Sequence, residues 1–135
     1  MIRRVLKIGR WVVDFIFADD GYDEEAVLGC LYDIDAPVPV MRRADKIMES
    51  GDYNRGFTFA NPALRRALVV VGPTTSGRQF INTLSHEIDH LSDAIAEYYG
   101  IKSHREGTSY ITGDTTMALA EVICHFGCEK CRDME

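Results

Sequence analysis

The sequence has no long apolar run, no internal repeat and no excess of basic residues, and each absence excludes a class of protein. No stretch approaches the roughly 20 apolar residues that a membrane-spanning helix needs, so we expect no membrane partner. The 15 basic side chains are outnumbered by 21 acidic ones, which gives a formal net charge of −6. Because nucleic-acid binders neutralise phosphates with lysine and arginine, this balance also argues against a nucleic-acid partner.

Length and composition are those of a globular domain. The chain has 135 residues, of which 46% are hydrophobic and 27% charged, and we expect one domain over residues 1–135. The basic and apolar N-terminal stretch resembles a signal peptide, but Asp14 interrupts it and no clean cleavage site follows. A chain of this size needs no disulfides, which favours reduced thiols and a cytoplasmic location.

Hydrophobic periodicity predicts strands in the first half and helices in the second. Strands are expected over residues 5–17 with a bend near Gly9, over 56–60 and over 67–71. Helices are expected over residues 22–32, 41–49 and 77–99, with one more between 106 and 126. The prolines in segment 36–39 should separate the first two helices, and Thr75 or Ser76 should cap the long one. This order favours an α+β domain over a parallel α/β fold.

His86 and His90 flank Glu87 in an H-E-x-x-H motif inside the long predicted helix. Residues four apart lie on one helix face, so both imidazoles can bind one Zn²⁺ at about 2.0–2.1 Å. Glu87 would then stand beside the metal-bound water and take its proton as general base. The apolar stripe of the helix lies on the opposite side, so the pair should face a cleft or solvent. The alternative is two histidines on a solvated helix face.

A catalytic zinc site usually has three protein ligands and an open position for water. The longer motif with a further glycine and histidine does not continue, because Asp93 and Ala96 stand at those positions. Asp93 and Glu97 share the face of the histidines and could orient the imidazoles. Chain length lets Glu106 or Glu121 reach back to the pair. The full set of downstream candidates is His104, Glu106, Asp114, Glu121 and His125.

The H-E-x-x-H motif and the later segment E-G-T-S-Y-I-T-G at 106–113 resemble the zincin-like metallopeptidases. The likeness is to small metallopeptidases of bacterial and phage-derived genomes, in which E-x-x-A-Y-x-x-G follows the helix; Ser109 replaces the alanine here. The resemblance implies a minimal zincin-like domain, with a small twisted sheet packed on an active-site helix and a C-terminal backing helix. It also implies Glu106 as the third zinc ligand and Tyr110 as a catalytic residue near the metal.

These observations predict a gluzincin-like zinc metallopeptidase that hydrolyses a peptide or protein substrate with Glu87 as general base. The substrate could pair with an exposed strand edge at residues 56–60. One alternative is a catalytically inactive, metal-stabilised binding or regulatory module of the same fold. Another is a hydrolase that acts on a non-peptide amide with the same residues.

A cysteine cluster of the form C-H-x-x-C-x-x-C ends the chain, with cysteines at 124, 128 and 131. The favoured interpretation is that Cys124 and Cys128 are buried helix residues and Cys131 lies in a short tail. Thiolates and His125 could instead hold a structural zinc, with Cys30 folded nearby. A disulfide or redox pair is the third possibility.

Overall fold

The computed structural model describes residues 1–101 and 106–128, without the side chain of Glu106. It shows an α+β fold in which a mixed four-stranded sheet carries helices on both faces. The sheet order is β1-β2-β4-β3. The strands are β1 (Ile2–Ile8), β2 (Trp11–Phe17), β3 (Gly56–Asn61) and β4 (Arg66–Val71). The helices are α1 (Glu24–Asp33), α2 (Val38–Glu49), α3 (Gly77–Tyr98), α4 (Glu106–Ala118) and α5 (Ala120–Gly127).

The predicted bend near Gly9 is a hairpin turn between β1 and β2. Gly9 has φ 58°, a conformation that glycine adopts without steric cost. β2 then pairs with β4 in parallel, whereas β1–β2 and β3–β4 are antiparallel. The sheet is therefore mixed, and its two edge strands are β1 and β3.

The central strands β2 and β4 are buried on both faces, which explains their nearly continuous apolar sequences. One face, carrying Phe15, Phe17 and Val69, packs against α3 and α5. The other, carrying Ile16 and Val70, packs against α1 and α2. The sheet thus separates two hydrophobic clusters.

Helix α2 begins earlier than predicted, at Val38 instead of residue 41. Pro37 is its N-cap residue and Pro39 lies in its first turn. Proline is tolerated there because the first N–H groups of a helix have no intrahelical acceptor. The two prolines therefore start this helix and do not only separate it from α1.

Helix α3 is confirmed, and Ser76 caps it by accepting a hydrogen bond from the N–H of Gln79 at 3.1 Å. The single helix expected after it is two helices, α4 and α5, that meet at Leu119. The hydroxyls of Thr115 and Thr116 donate to carbonyls four residues back, a pattern that bends helices.

Helices α4 and α5 run back along α3. The Oγ1 atom of Thr112 lies 2.8 Å from Oγ of Ser92, in the second half of α3. Near the start of α3, the rings of Phe80 and Phe126 stack with centroids 4.9 Å apart. None of the helices in the described ranges is both long and apolar enough to cross a membrane.

Candidate active site

The two histidines of the motif lie next to each other on the exposed side of α3. Nε2 of His86 is 3.1 Å from Nε2 of His90, and the ring centroids are 4.6 Å apart with nearly perpendicular planes. Both side chains are exposed. The expectation that they face a cleft or solvent is confirmed.

The spacing of the two nitrogens suits a shared metal ion. Two nitrogens each about 2.05 Å from one zinc, at the tetrahedral angle, lie about 3.3 Å apart. The observed 3.1 Å is close to that value. It also suits a hydrogen bond between one protonated and one unprotonated ring nitrogen. In either case the two Nε2 atoms are adjacent, and both histidines line the cleft.

Glu87 is buried, with 5% of its surface exposed, because its carboxylate is held against the edge strand β3. The hydroxyl of Thr58 lies 3.0 Å from Oε1 of Glu87 and donates to it; the main-chain oxygen of Glu87 is 3.3 Å away. One oxygen of the carboxylate thus has a fixed donor. The side chain nevertheless lines the cleft that the histidines face.

Strand β3 carries small residues on the side of α3 and aromatic residues on the side of α2. Phe57 and Phe59 pack with the α1–α2 cluster, and Ala60 packs with the α3 cluster. A Cβ on Gly56 would lie 3.0 Å from Cγ of Glu87 and 2.5 Å from the carbonyl oxygen of Val70. Only glycine at position 56 lets the helix approach the strand this closely.

A cleft of about 420 Å³ runs along β3 between α2 and α3, and His86, Glu87 and His90 line it. A second cleft of about 270 Å³ continues past His86 toward the start of α3, where Asn82 lines it. Both clefts share Gly56, His86 and Glu87. We call the two together the β3 groove, and its reactive side chains lie near its middle.

The main chain of β3 offers free hydrogen-bonding groups to the β3 groove. The carbonyl of Arg55 accepts a hydrogen bond from the N–H of Gly72 at 2.8 Å. This bond shows which residues of β3 direct their main-chain groups toward β4 in the antiparallel pair. Since such ladders alternate every two residues, the N–H and C=O groups of Gly56, Thr58 and Ala60 point away from β4. They are available to an extended chain lying in the groove.

Among the described side chains, none of the other predicted site residues lines either cleft. Tyr110 lies on α4, is 64% exposed and lines neither cleft. The backbone of Glu106 begins α4, six residues before the Ser92–Thr112 contact. Asp114, Glu121 and Glu97 are exposed, Asp93 and His125 are partly exposed, and His104 lies outside the described residues. Within 1–101 and 106–128, no three His, Cys, Asp or Glu side chains are grouped closely enough to hold a metal.

The cysteines differ from the favoured interpretation in two respects: Cys124 is exposed, and Cys128 is only partly buried and is the C-cap residue of α5. Cys30 is buried. Cys30 belongs to the α1–α2 cluster, whereas α5 packs on the opposite face of the sheet. Cys30 therefore shares no metal site with Cys124 or Cys128, the two C-terminal cysteines that the structure describes. Cys131 lies outside the described residues.

Burial, followed by the nearby charge of Asp14, raises the pKa of the Cys30 thiol to about 11.

Sequence reasoning missed Thr58 and Arg43, which line the main cleft. The alternation of small and aromatic residues in G-F-T-F-A could have indicated that a helix packs on the small side.

Compared with protein families, with curated proteins and with solved structures, the chain shows no match. The relation to zincin-like metallopeptidases thus depends on its motifs alone.

Proposed function

We propose that the protein is a zinc-dependent peptidase built on a minimal zincin-like domain. One observation carries the proposal: Nε2 of His86 and Nε2 of His90 lie 3.1 Å apart, and Glu87 lines the same groove along the edge strand β3. The helix with the two histidines packs on the sheet, and α4 and α5 lie behind it. A sheet, a helix with the two histidines and helices behind it are the elements that the resemblance implies, which supports the proposal.

His86 and His90 would supply two of the three protein ligands that a catalytic zinc site usually has, since imidazoles are common zinc ligands. When bound, zinc lowers the pKa of its water toward 7 and polarises a carbonyl oxygen. His86 and His90 would hold the ion, and the resemblance adds Glu106 as third ligand and Tyr110 as a catalytic residue. Glu87 would accept a proton from the attacking water and later pass it to the leaving amine.

Peptide binding would use the β3 groove by strand addition. The outward N–H and C=O groups of Gly56, Thr58 and Ala60 would pair with the main chain of an extended substrate. Main-chain pairing is independent of side chains, so it aligns any extended segment with the strand. Because the groove extends on both sides of Glu87, the scissile bond would lie within the bound segment and not at its end.

The test is zinc content per chain after dialysis, measured on the wild type, on the double variant His86→Ala/His90→Ala and on Glu87→Gln. We expect one zinc in the wild type, none in the double variant and one in Glu87→Gln. Cleavage of an unfolded protein such as casein should occur with the wild type and be lost in both variants.

Two results would overturn the proposal in different ways. Cleavage that survives in Glu87→Gln excludes the general-base role of that residue. A wild type that binds no zinc even after reconstitution excludes the metal site. Zinc binding without cleavage of any peptide favours the alternative of an inactive, metal-stabilised binding module.

A further inference from the structure

The wall of the β3 groove opposite α3 carries one positive charge on an otherwise apolar surface. Val40, Arg43, Ala44 and Ile47 of α2 line the main cleft, and their spacing by three and four puts them on one helix face. Ala44 and Ile47 are buried, whereas Arg43 is exposed. Arg43 is therefore the charged residue on this wall, and it also borders a neighbouring surface pocket that Asp45 and Glu49 line.

Arg43 has no carboxylate partner among the described residues, in contrast to Arg3, Arg55 and Arg66. Arg55, at the far end of the groove, pairs with Asp52 at 3.2 Å. Arg3 and Arg66 both pair with Asp14. The other carboxylate in the main cleft, that of Glu87, lies on the α3 side and accepts from Thr58.

An extended chain paired with β3 would point its side chains alternately toward α3 and toward α2. The side chains that face α2 would meet Val40, Ile47 and Arg43. A carboxylate fits Arg43 because the planar guanidinium donates two parallel hydrogen bonds to it. An ammonium or guanidinium group at the same place would be repelled.

We propose that Arg43 recognises a carboxylate of the peptide in the β3 groove, so that the protein selects acidic substrates. The proposal rests on the function proposed above and names the substrate class of the same site. The carboxylate belongs to an Asp or Glu side chain or to the C-terminus of the peptide. Because β3 fixes the register of the bound chain, the acidic group stands at one fixed distance from the cleaved bond.

The first experiment maps cleavage sites in a random peptide library with zinc-loaded protein, using Arg43→Gln, Arg43→Glu and the matched control Arg42→Glu. Arg42 is the exposed neighbour of Arg43 and does not line the main cleft. We expect about a tenfold preference for Asp or Glu over Gln at one position. The preference should vanish in Arg43→Gln, shift to Lys in Arg43→Glu and persist in Arg42→Glu. An unchanged profile in Arg43→Gln overturns the proposal.

A C-terminally amidated copy of the library distinguishes the two sources of the carboxylate. If amidation abolishes cleavage, the C-terminus is the group bound; if it has no effect, an internal acidic side chain is. A library cleaved without preference for any carboxylate contradicts the proposal and leaves the peptidase function intact.

A binding measurement separates this proposal from the hydrolytic one. Three fluorescein-labelled pools of random decapeptides, with Glu, Gln or Lys fixed at the centre, are titrated with the Glu87→Gln protein and with Glu87→Gln/Arg43→Gln. We expect the Glu pool to bind about tenfold tighter than the Gln pool, with the difference lost in the double variant. Such binding, together with a zinc-loaded wild type that cleaves none of the peptides, would refute hydrolysis but support Arg43 recognition. Equal binding of the three pools would refute the role of Arg43.

Discussion

The hydroxyl of Thr58 on β3 donates to Oε1 of Glu87 on α3 at 3.0 Å, which joins the free strand edge to the residue between the two histidines. The same strand residue directs its main-chain groups into the β3 groove. In the proposed peptidase, substrate pairing at the edge and the orientation of the carboxylate would thus be coupled through one residue.

Replacing Thr58 by valine should lower the rate of peptide cleavage about tenfold without loss of zinc, because a carboxylate without its donor is less well oriented. Valine keeps the shape of threonine, so packing on α3 is retained. We expect Thr58→Ser to restore most of kcat, since it restores the hydroxyl. A Thr58→Val protein with wild-type kcat would show that the hydrogen bond only stabilises the fold.

Gly56→Ala should destabilise the protein by about 1–3 kcal/mol, since the new Cβ meets the carbonyl oxygen of Val70 and the side chain of Glu87. The matched control is Gly29→Ala in α1, where a Cβ meets nothing within 4 Å. That change should stabilise by up to about 1 kcal/mol, because alanine favours the helix. Urea denaturation of the two variants measures both effects, and equal changes would contradict the close packing of β3 on α3.

The third zinc ligand is predicted to be Glu106 on the resemblance, with Glu121 as the alternative. Glu106→Gln should lower zinc affinity at least tenfold, while Glu121→Gln, at an exposed position of α5, should leave it unchanged. Competition with a fluorescent chelator measures both affinities. The reverse result would assign the ligand to Glu121. No change in either variant would leave two histidines and non-protein ligands at the metal.

The buried thiol of Cys30 should make stability depend on alkaline pH. Its pKa is raised to about 11 in the fold, against about 8.5 in an unfolded chain. The neutral thiol therefore stabilises the folded state fully below pH 8.5, and this contribution is lost as the pH rises toward 11. The excess stability of the wild type over Cys30→Ala should shrink by about 2 kcal/mol between pH 8 and pH 10.5 in urea denaturation.

Thiol labelling of the native protein at pH 8 gives an independent check on the same residue. Cys124, which is exposed, should react quickly with a thiol reagent, whereas Cys30 should react only on unfolding. Fast labelling of Cys30 in the native protein would show that its burial is transient. In the urea denaturation experiment, a stability difference between the wild type and Cys30→Ala that does not change with pH would exclude the raised pKa of Cys30.

The parts of the fold that were predicted correctly depend on local pattern. The spacing of Phe80, Leu84 and Ile88 indicates α3 and the face on which its histidines lie, and the apolar run of β4 indicates a buried strand. The parallel pairing of β2 with β4 was not predictable, because strand partners are chosen by tertiary packing. The start of α2 was missed because Pro37 and Pro39 break a helix interior but are accepted in its first turn.

The site was predicted only where its chemistry lies within one helix. His86, Glu87 and His90 are brought together by helical periodicity alone, which the sequence reveals. Thr58 and Arg43 reach the same cleft from a strand and a helix far away along the chain, and their roles depend on how α2 and α3 enclose β3. No spacing within a single element indicates such contacts.

The two edges of the sheet have opposite consequences for association. β1 carries Arg3, Arg4 and Lys7, which discourage pairing with another sheet. The edge of β3 carries no such charges along its length but lies between α2 and α3. A folded sheet brings its own covering layers, which would collide with those two helices, whereas a lone extended segment fits between them. For the proposed peptidase, the geometry of this edge would therefore favour substrates that are locally unfolded: loops, tails and denatured proteins.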